Sequence, residues 1–435
     1  MHRTTRLAII ADDLSSATDC GIQVAQGGLR TVVPLQGYRL PSACEDVDVI
    51  SVDTDSRSMA AQQAYHEARR ATSELMEAGC GSMYKSVDST LRGNLGAEID
   101  GVLDALGIGC AVIAPAYPLY GRTTIGARHL VNGTPIDQTE FGSDPRSPVR
   151  ESNIVKLLSS QSKRRIGHIA LDVLHAGNEA TADALVKHHA NGAGHVVFDV
   201  REEEDLERLA LAVGKIDMNV LWVGSTGLAR VIPAAIGMES VSSSAAGSEL
   251  RGRQIMIVAG SASEITRKQL LVLENAQGVT LATMNPLACV SGGADLEAEI
   301  ERCSNVLVRG VEAESDVVLR VSSTRKEIES TQEVGRKREL SESQVSNLIV
   351  SSLAGVARQV LNACELRGVI LTGGDTAKAV CESLEAEAIR MISAVEPGIP
   401  LGVLMGAHDL LVVTKAGGFG SENALIASVK KMRNA

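Results

Sequence analysis

The chain is poor in aromatic residues: three Phe, five Tyr and one Trp make up only 2% of its 435 residues. A surface that stacks nucleic-acid bases on aromatic rings is therefore not expected. Positive charge is also in deficit, with 42 Lys and Arg against 53 Asp and Glu and a net charge of −11. That opposes binding along a nucleic-acid backbone, although a local basic patch can still hold one small anion. No stretch reaches the ~18 consecutive apolar residues of a membrane span. The opening run LAII stops at Asp12 and Asp13, too soon for a signal peptide, so a cytoplasmic protein is expected. Eight cysteines lie far apart with no CxxC and no companion histidine spacing, which favours buried thiols over disulfides or zinc. GxxxxGK[ST] is absent, and no GxGxxG follows the first strand of either half. Gly224-Ser225-Thr226-Gly227 misses the nucleophile elbow of hydrolases, because its second glycine falls one residue early.

Short β-branched runs alternate with longer amphipathic ones, which predicts an α/β protein with mostly parallel strands. The length suits two domains. In the first half the pattern predicts strands near 6–11, 30–35, 47–53, 82–87, 109–115, 165–172, 195–200 and 219–223. Helices are expected over 16–26, 58–79, 95–106, 178–190 and 202–214. The irregular stretch 116–150 has the length of a functional loop and carries a hairpin signal at Asn132-Gly133. The Gly/Ser-rich stretch 238–252 reads as a linker between an N-terminal domain, 1–237, and a C-terminal domain, 253–435. Beyond it, strands are expected near 254–259, 278–283, 304–309, 316–321, 368–372, 401–405 and 410–414. Helices fill 263–275, 341–364, 375–387 and 421–433, and the charged stretch 323–341 reads as a mobile surface excursion. Each domain is thus expected to be a mostly parallel sheet flanked by helices, with a cleft between the two.

Three polar clusters follow successive strands of the first half. Asp12-Asp13-Leu14-Ser15-Ser16 places two carboxylates where ligands bind in open parallel sheets, outside the strand ends. They suit sugar hydroxyls, water-held Mg2+ or base catalysis; the plain alternative is that Asp13 or Ser15 caps the next helix. Asp53-Thr54-Asp55-Ser56-Arg57 adds a guanidinium fork that matches a carboxylate or phosphate. Lys85-Ser86-Val87-Asp88-Ser89-Thr90-Leu91-Arg92-Gly93-Asn94 is the densest, with two cations, a carboxylate and several hydroxyls. Such an inventory suits a small polyhydroxylated anion.

The second half supplies glycine turns at strand ends. Gly260-Ser261-Ala262-Ser263, Gly373-Gly374-Asp375-Thr376 and Gly417-Gly418-Phe419-Gly420 each lead toward a helix. Glycine lets backbone N–H groups approach an anion, and a helix N-terminus adds about half a positive charge. Three such turns in one domain point to a nucleotide.

The motifs ADDLSSATD, DTDSR, YKSVDSTLRGN, VAGSAS, TGGDTA and KAGGFGSENAL, spread over residues 6–431, resemble those of the four-carbon acid sugar kinases. The resemblance implies an N-terminal acid-sugar domain and a C-terminal ATP domain. It implies transfer of the γ-phosphoryl of ATP to the terminal hydroxyl of D-threonate, D-erythronate or a 3-oxo-tetronate. It matches Asp12, Arg57 and Lys85–Asp88 to substrate positions, and Ser261, Gly373–Thr376 and Gly417 to ATP positions. Leu14-Ser15-Ser16 departs from the Phe-Thr-Gly common in the family, and the KAGGFG ending leans toward threonate and erythronate kinases.

In this reading Arg57 and Lys85 hold the substrate carboxylate, while Asp12 and Asp88, with Asp13, Ser86, Val87, Ser89 and Arg92 beside them, complete the pocket. Ser261, Ser263, Gly373, Gly374, Asp375, Thr376, Gly417, Gly418 and Gly420 cradle ATP, with Mg2+ bridging its phosphates. The metal ligands are not assigned. Asp375 is the first candidate for general base and Asp12 the second; Asp375 could instead hold Mg2+ or cap its helix. Closure about the linker is expected to exclude water. A homodimer is the default expectation. A nucleotide-dependent sugar-acid oxidoreductase and a non-catalytic sugar-acid sensor are the competing classes.

Overall fold

Most of the apolar and β-branched runs become strands as their composition predicts, and most of these alternate along the chain with helices. The computed structural model describes residues 6–38, 46–144, 147–238, 252–260, 263–276, 278–321, 325–407 and 409–435. The chain divides into two compact units, Met1–Ser243 and Ser244–Ala435. Of the expected linker 238–252, all but Met238 and Gly252 lies outside the described residues.

The N-terminal unit contains β1 (Arg6–Ala11), β2 (Thr31–Pro34), β3 (Val49–Asp53), β4 (Cys80–Ser86) and β5 (Ala111–Ala114). A short antiparallel sheet follows, β6 (Arg122–Ile125), β7 (Arg128–Val131) and β8 (Thr134–Pro135). Then come β9 (Arg165–Ile169), β10 (Ala193–Phe198) and β11 (Leu221–Gly224). The main sheet runs β2-β3-β1-β4-β11-β5-β10-β9 and is parallel throughout. The chain winds away from β1 in both directions, which makes its carboxyl end the switch point where crevices form. Leu7, Ile9, Tyr84, Val112, Phe198 and Trp222 share one core cluster. The expected hairpin is present: Val131 pairs with Thr134, and Asn132 (φ 50°) and Gly133 (φ 80°) both take the left-handed conformation of a type I′ turn. The long loop is thus largely this small sheet and short helical turns.

The C-terminal unit contains β12 (Ile255–Ala259), β13 (Val279–Met284), β14 (Asp316–Val321), β15 (Gly368–Thr372), β16 (Ala388–Glu396), β17 (Ile399–Met405) and β18 (Leu410–Lys415). Their order is β13-β14-β12-β15-β18-β17-β16. The first five are mutually parallel, whereas β17 is antiparallel to both β18 and β16.

Three sequence expectations need correction here. The strand expected at 304–309 lies inside the helix Gly293–Glu312, because Cys303, Leu307 and Gly310 recur at helical spacing and are buried. The helix expected to reach 387 ends at Ser383, and β16 was not foreseen; Pro397-Gly398 makes the hairpin that returns β17 beside it. Finally, 323–341 is no mobile excursion where it is described: Arg325–Lys337 is a helix. Its exposed charges pair along the axis, as Glu333 does with Lys337 at 2.7 Å, while Thr331 is buried. Seven cysteines are free thiols among the described residues, six buried and Cys364 half-buried. No helix among those residues is long and apolar enough to cross a membrane.

One helix crossing fixes the floor under the first site. Helix Leu95–Leu106 packs so closely on Ala61–Glu77 that a Cβ at Gly101 would lie 2.3 Å from the backbone oxygen of Tyr65. Backbone cannot yield as a side chain can. Gly101→Ala should therefore lower stability by about 1–3 kcal/mol despite its better helix propensity, read as a fall in thermal midpoint.

Candidate active site

In the N-terminal unit the three polar clusters sit at the carboxyl ends of β1, β3 and β4, which are neighbours in the sheet. Backbone bonds stitch these ends together: Thr54 N donates to Ala11 O at 2.9 Å, Arg57 N to Asp12 O at 3.3 Å and Val87 N to Gly224 O at 2.9 Å. Below them lies a buried ionic network. Lys85 Nζ meets Glu98 Oε2 at 2.8 Å and donates to the carbonyls of Ile10 (3.2 Å) and Ser86 (2.5 Å). Ser56 Oγ donates to Glu98 Oε1 at 2.9 Å, and Thr54 Oγ1 donates to Ala11 O at 2.7 Å.

Lys85 lies beneath the other expected site residues. Its side chain is fully buried and engaged by Glu98 and two carbonyls, so it supports the strand ends from beneath. Ser86 and Val87 are buried as well, Ser86 Oγ lying 3.2 Å from Cys20 Sγ.

Arg57 forms the centre of the upper layer. Its Nε donates to Asp12 Oδ2 at 2.7 Å, and its Nη2 to Asp12 Oδ1 at 2.9 Å and to Ser16 Oγ at 3.0 Å. Its Nη1 pairs with Asp13. Both oxygens of Asp12 are thus engaged, which suits an orienting group better than a base. Asp13 doubles as the helix cap, accepting from Ser16 N at 2.7 Å, so its structural role is realised together with the ion pair. Gly93 lies beside Arg57 and holds φ at 95°, a conformation that L side chains rarely adopt.

Asp88 is bound by Arg92 Nε at 2.5 Å and by Thr90 Oγ1 at 2.6 Å. Burial opposes its charge, yet Arg92 and Arg57 hold its carboxyl well below the usual range. Ser89 contributes its carbonyl, which accepts from His129 Nε2 at 2.8 Å. Burial draws His129 down to about 4, so the ring is neutral, with Nδ1 facing Thr124 Oγ1 at 3.0 Å. The small antiparallel sheet thereby braces the 86–92 turn.

Glu98, His129, Asp19 and Arg122 were not among the expected site residues. Arg122, from the long loop, feels the charges of Asp88 and Arg92. Asp19 lies one turn beyond Ser15 and Ser16 in the helix Leu14–Gln26. It is buried, and burial with Asp13 nearby pushes its carboxyl up to about 8. The available signals were the lone acid in the apolar run Leu95–Ile99 and the buried lysine's need of a counter-ion.

In the C-terminal unit the three glycine turns follow β12, β15 and β18, again adjacent parallel strands. Gly373 N donates to Lys415 O at 2.8 Å, joining two of the turns. Gly260 packs on buried Thr376, whose Oγ1 would lie 2.1 Å from any Cβ added there. Asp375 is exposed in the first turn of helix Gly374–Ser383. Ser263 precedes helix Glu264–Ala276, and its carbonyl accepts from Arg267 N at 3.1 Å. Ser261 lies outside the described residues. Beside Gly260 opens a mostly apolar cavity of about 520 Å³, lined by Val321, Ile328, Arg336, Val345 and Ile349 among others. The charged stretch once expected to be a loose excursion is one of its walls.

The sequence matches two family models, a sugar-binding N-terminal domain over residues 7–232 and a nucleotide-binding C-terminal domain over 256–425. It is 34% identical to a D-threonate kinase of Salmonella typhimurium, over 97% of this chain and 96% of that one. The chain belongs to the four-carbon acid sugar kinase family. A D-erythronate kinase of Heliobacterium modesticaldum is 31% identical (98% and 96% covered), and a 3-oxo-tetronate kinase of Brucella melitensis 29% (99% and 96%). A solved Salmonella typhimurium structure shares the fold with a TM-score of 0.81 at 23% identity, covering 98% of this chain and 99% of its own. The polar cluster of the first unit lies within the span matched by the sugar-binding model, and the glycine turns of the second within that matched by the nucleotide-binding model. His175, Glu202 and Asp205 also cluster, but Asp205 accepts from the Arg201 and Glu202 amides and closes a helix capping box.

Two outcomes test this geometry. Lys85→Met leaves Glu98 buried without its partner and should destabilise the N-terminal unit by about 3–5 kcal/mol. Lys85→Met with Glu98→Leu should recover most of that stability in denaturant titrations, while acid-sugar turnover stays impaired. Asp19 supplies a pH test: its carboxyl has an ordinary value of 3.8 and about 8 in the fold. The folded state therefore holds the proton more tightly, and this group's stabilising contribution is lost as pH rises from about 4 through about 8. Asp19→Asn should raise the thermal midpoint at pH 8 relative to the parent, with less gain at pH 5.

Proposed function

We propose that the chain transfers the γ-phosphoryl group of ATP to the terminal hydroxyl of D-threonate or D-erythronate, giving the 4-phosphate. The observation that carries this reading is the nearly full-length match to a D-threonate kinase at 34% identity. The site chemistry supports it. Arg57 and Arg92 offer guanidinium forks to a carboxylate, and Asp12, Asp13 and Asp88 accept from sugar hydroxyls. On the nucleotide side, amides of the turns at 260, 373–376 and 417–420 meet the phosphates. The apolar cavity beside Gly260 has the size and lining of a small-ligand pocket and takes the nucleobase.

Phosphoryl transfer asks a protein for positioning and for stabilisation of the charge spread over the transferred group. Mg2+, when bound with ATP, neutralises part of that charge. It takes oxygen ligands, mostly phosphate and water with one or two carboxylates, and Glu264 or Asp375 is a donor of the right class. Asp375 serves as general base in this reading: it is exposed in the first turn of its helix, on the turn assigned here to the phosphates. Asp12, tied down by Arg57, orients the substrate.

A coupled ADP-release assay tests the proposal, with ATP, Mg2+ and a panel of D- and L-threonate, D- and L-erythronate and their 3-oxo relatives. Release with D-threonate or D-erythronate is expected. Release with the 3-oxo acids alone would move the substrate to that branch of the family, and silence with every acid would discard the proposal. Arg57→Ala should lower kcat/KM at least about 100-fold. Asp375→Asn should lower kcat by about 10²–10⁴-fold. A near-normal kcat in that variant, properly folded, removes Asp375 from the role.

A further inference from the structure

The C-terminal unit contains a buried cation that the reaction as described does not use. Lys415 ends β18 and is only 2% exposed. Its ammonium donates to the carbonyls of Ala416 (3.0 Å), Gly417 (3.2 Å) and Phe419 (3.2 Å) and to Thr266 Oγ1 (3.4 Å). It forms no ion pair among the described residues; Glu396 acts on it only through space. A buried ammonium held by neutral carbonyls alone is expensive, and burial pulls this one down to about 8.

The surrounding bonds show what the charge does. Thr266 Oγ1 donates to Gly417 O at 3.0 Å, and Gln269 Nε2 to Phe419 O at 3.1 Å and Ser421 O at 2.8 Å. Every carbonyl named here is drawn inward onto a side-chain donor. Among the described residues, the amides of Gly417, Gly418 and Gly420 donate to no protein acceptor. Two buried polar atoms nearby also lack partners among those residues, Gln269 Oε1 and Thr372 Oγ1, the latter on the residue paired in register with Lys415. A turn with its oxygens gathered inside, three glycine amides unused and a cation without an ion pair at its root is built for a polyanion.

We propose that Lys415 is a positioning residue: its ammonium gathers the 416–419 carbonyls so that the turn's amides receive the β- and γ-phosphates of the nucleotide. The inference rests on the reading that this turn binds ATP. It assigns Lys415 to the phosphates, not to the base or to the acid sugar.

Lys415→Met in the full chain tests it by calorimetric titration with ADP, adenosine and D-threonate. Affinity for ADP should fall about 10- to 100-fold, and the KM for ATP should rise in step while kcat changes much less. Adenosine and D-threonate should bind as they do to the parent. Unchanged ADP affinity in the folded variant overturns the proposal, and so does an equal loss for adenosine. If the variant does not fold, amide hydrogen exchange of the parent decides. The segment 416–421 should gain protection with ADP and not with adenosine, and no gain in a protein that binds ADP overturns the inference while leaving the nucleotide reading intact. A parent that binds no ADP overturns both.

Discussion

The buried pair of Lys85 and Glu98 is the constraint on which the substrate side depends. Removing an ammonium and a carboxylate from water is costly, and the arrangement persists because every oxygen around them is matched. Glu98 takes Lys85 on one oxygen and Ser56 on the other, while Lys85 also holds the carbonyls of Ile10 and Ser86. One ion pair therefore touches the ends of β1 and β4, the turn after β3 and a helix. Arg57 is the neighbour of Ser56, so the position of the guanidinium follows from a contact made beneath it. Apolar replacements could fill the same volume, but they would not fix three polar turns relative to one another.

The C-terminal unit solves a similar problem with neutral donors and a single cation. Its turns carry glycine where close approach demands it, and Gly260 against Thr376 is the clearest case. The two units thus present different chemistry from the same architecture. One edge is crowded with paired charges, and the other offers backbone amides.

Much of this was legible in the sequence, for a physical reason. In a parallel α/β sheet every strand's carboxyl end falls on one edge, so polar clusters that follow successive strands must converge. The order of motifs, the two-unit division and the I′ hairpin at Asn132-Gly133 followed from patterning alone. What remained hidden depended on direction and pairing. In Tyr84-Lys85-Ser86, the inventory of cations did not reveal that β4 is covered on both faces, where a lysine must find a buried acid. Glu98 sits in an apolar helix and His129 on a hairpin far along the chain, and periodicity names no partner for either. The run at 304–309 carries valines and a leucine that suit a short strand as well as a helix, and tertiary burial chooses the helix. The antiparallel return of β16 and β17 broke the βα alternation, as the small sheet β6-β7-β8 does in the first unit.

The charge pairing at the first site has a consequence for selectivity. In the resting protein Arg57 already faces Asp12 and Asp13, and Arg92 already faces Asp88. A bare anion such as chloride or inorganic phosphate gains little by entering, because it must displace a carboxylate and then leaves that carboxylate stranded. A ligand that brings hydroxyl donors along with its carboxylate can satisfy the displaced aspartates as it takes their arginines. With the acid sugar placed among these residues as proposed, the resting salt bridges would act as a filter that favours a molecule in which acid and polyol arrive joined in one short chain.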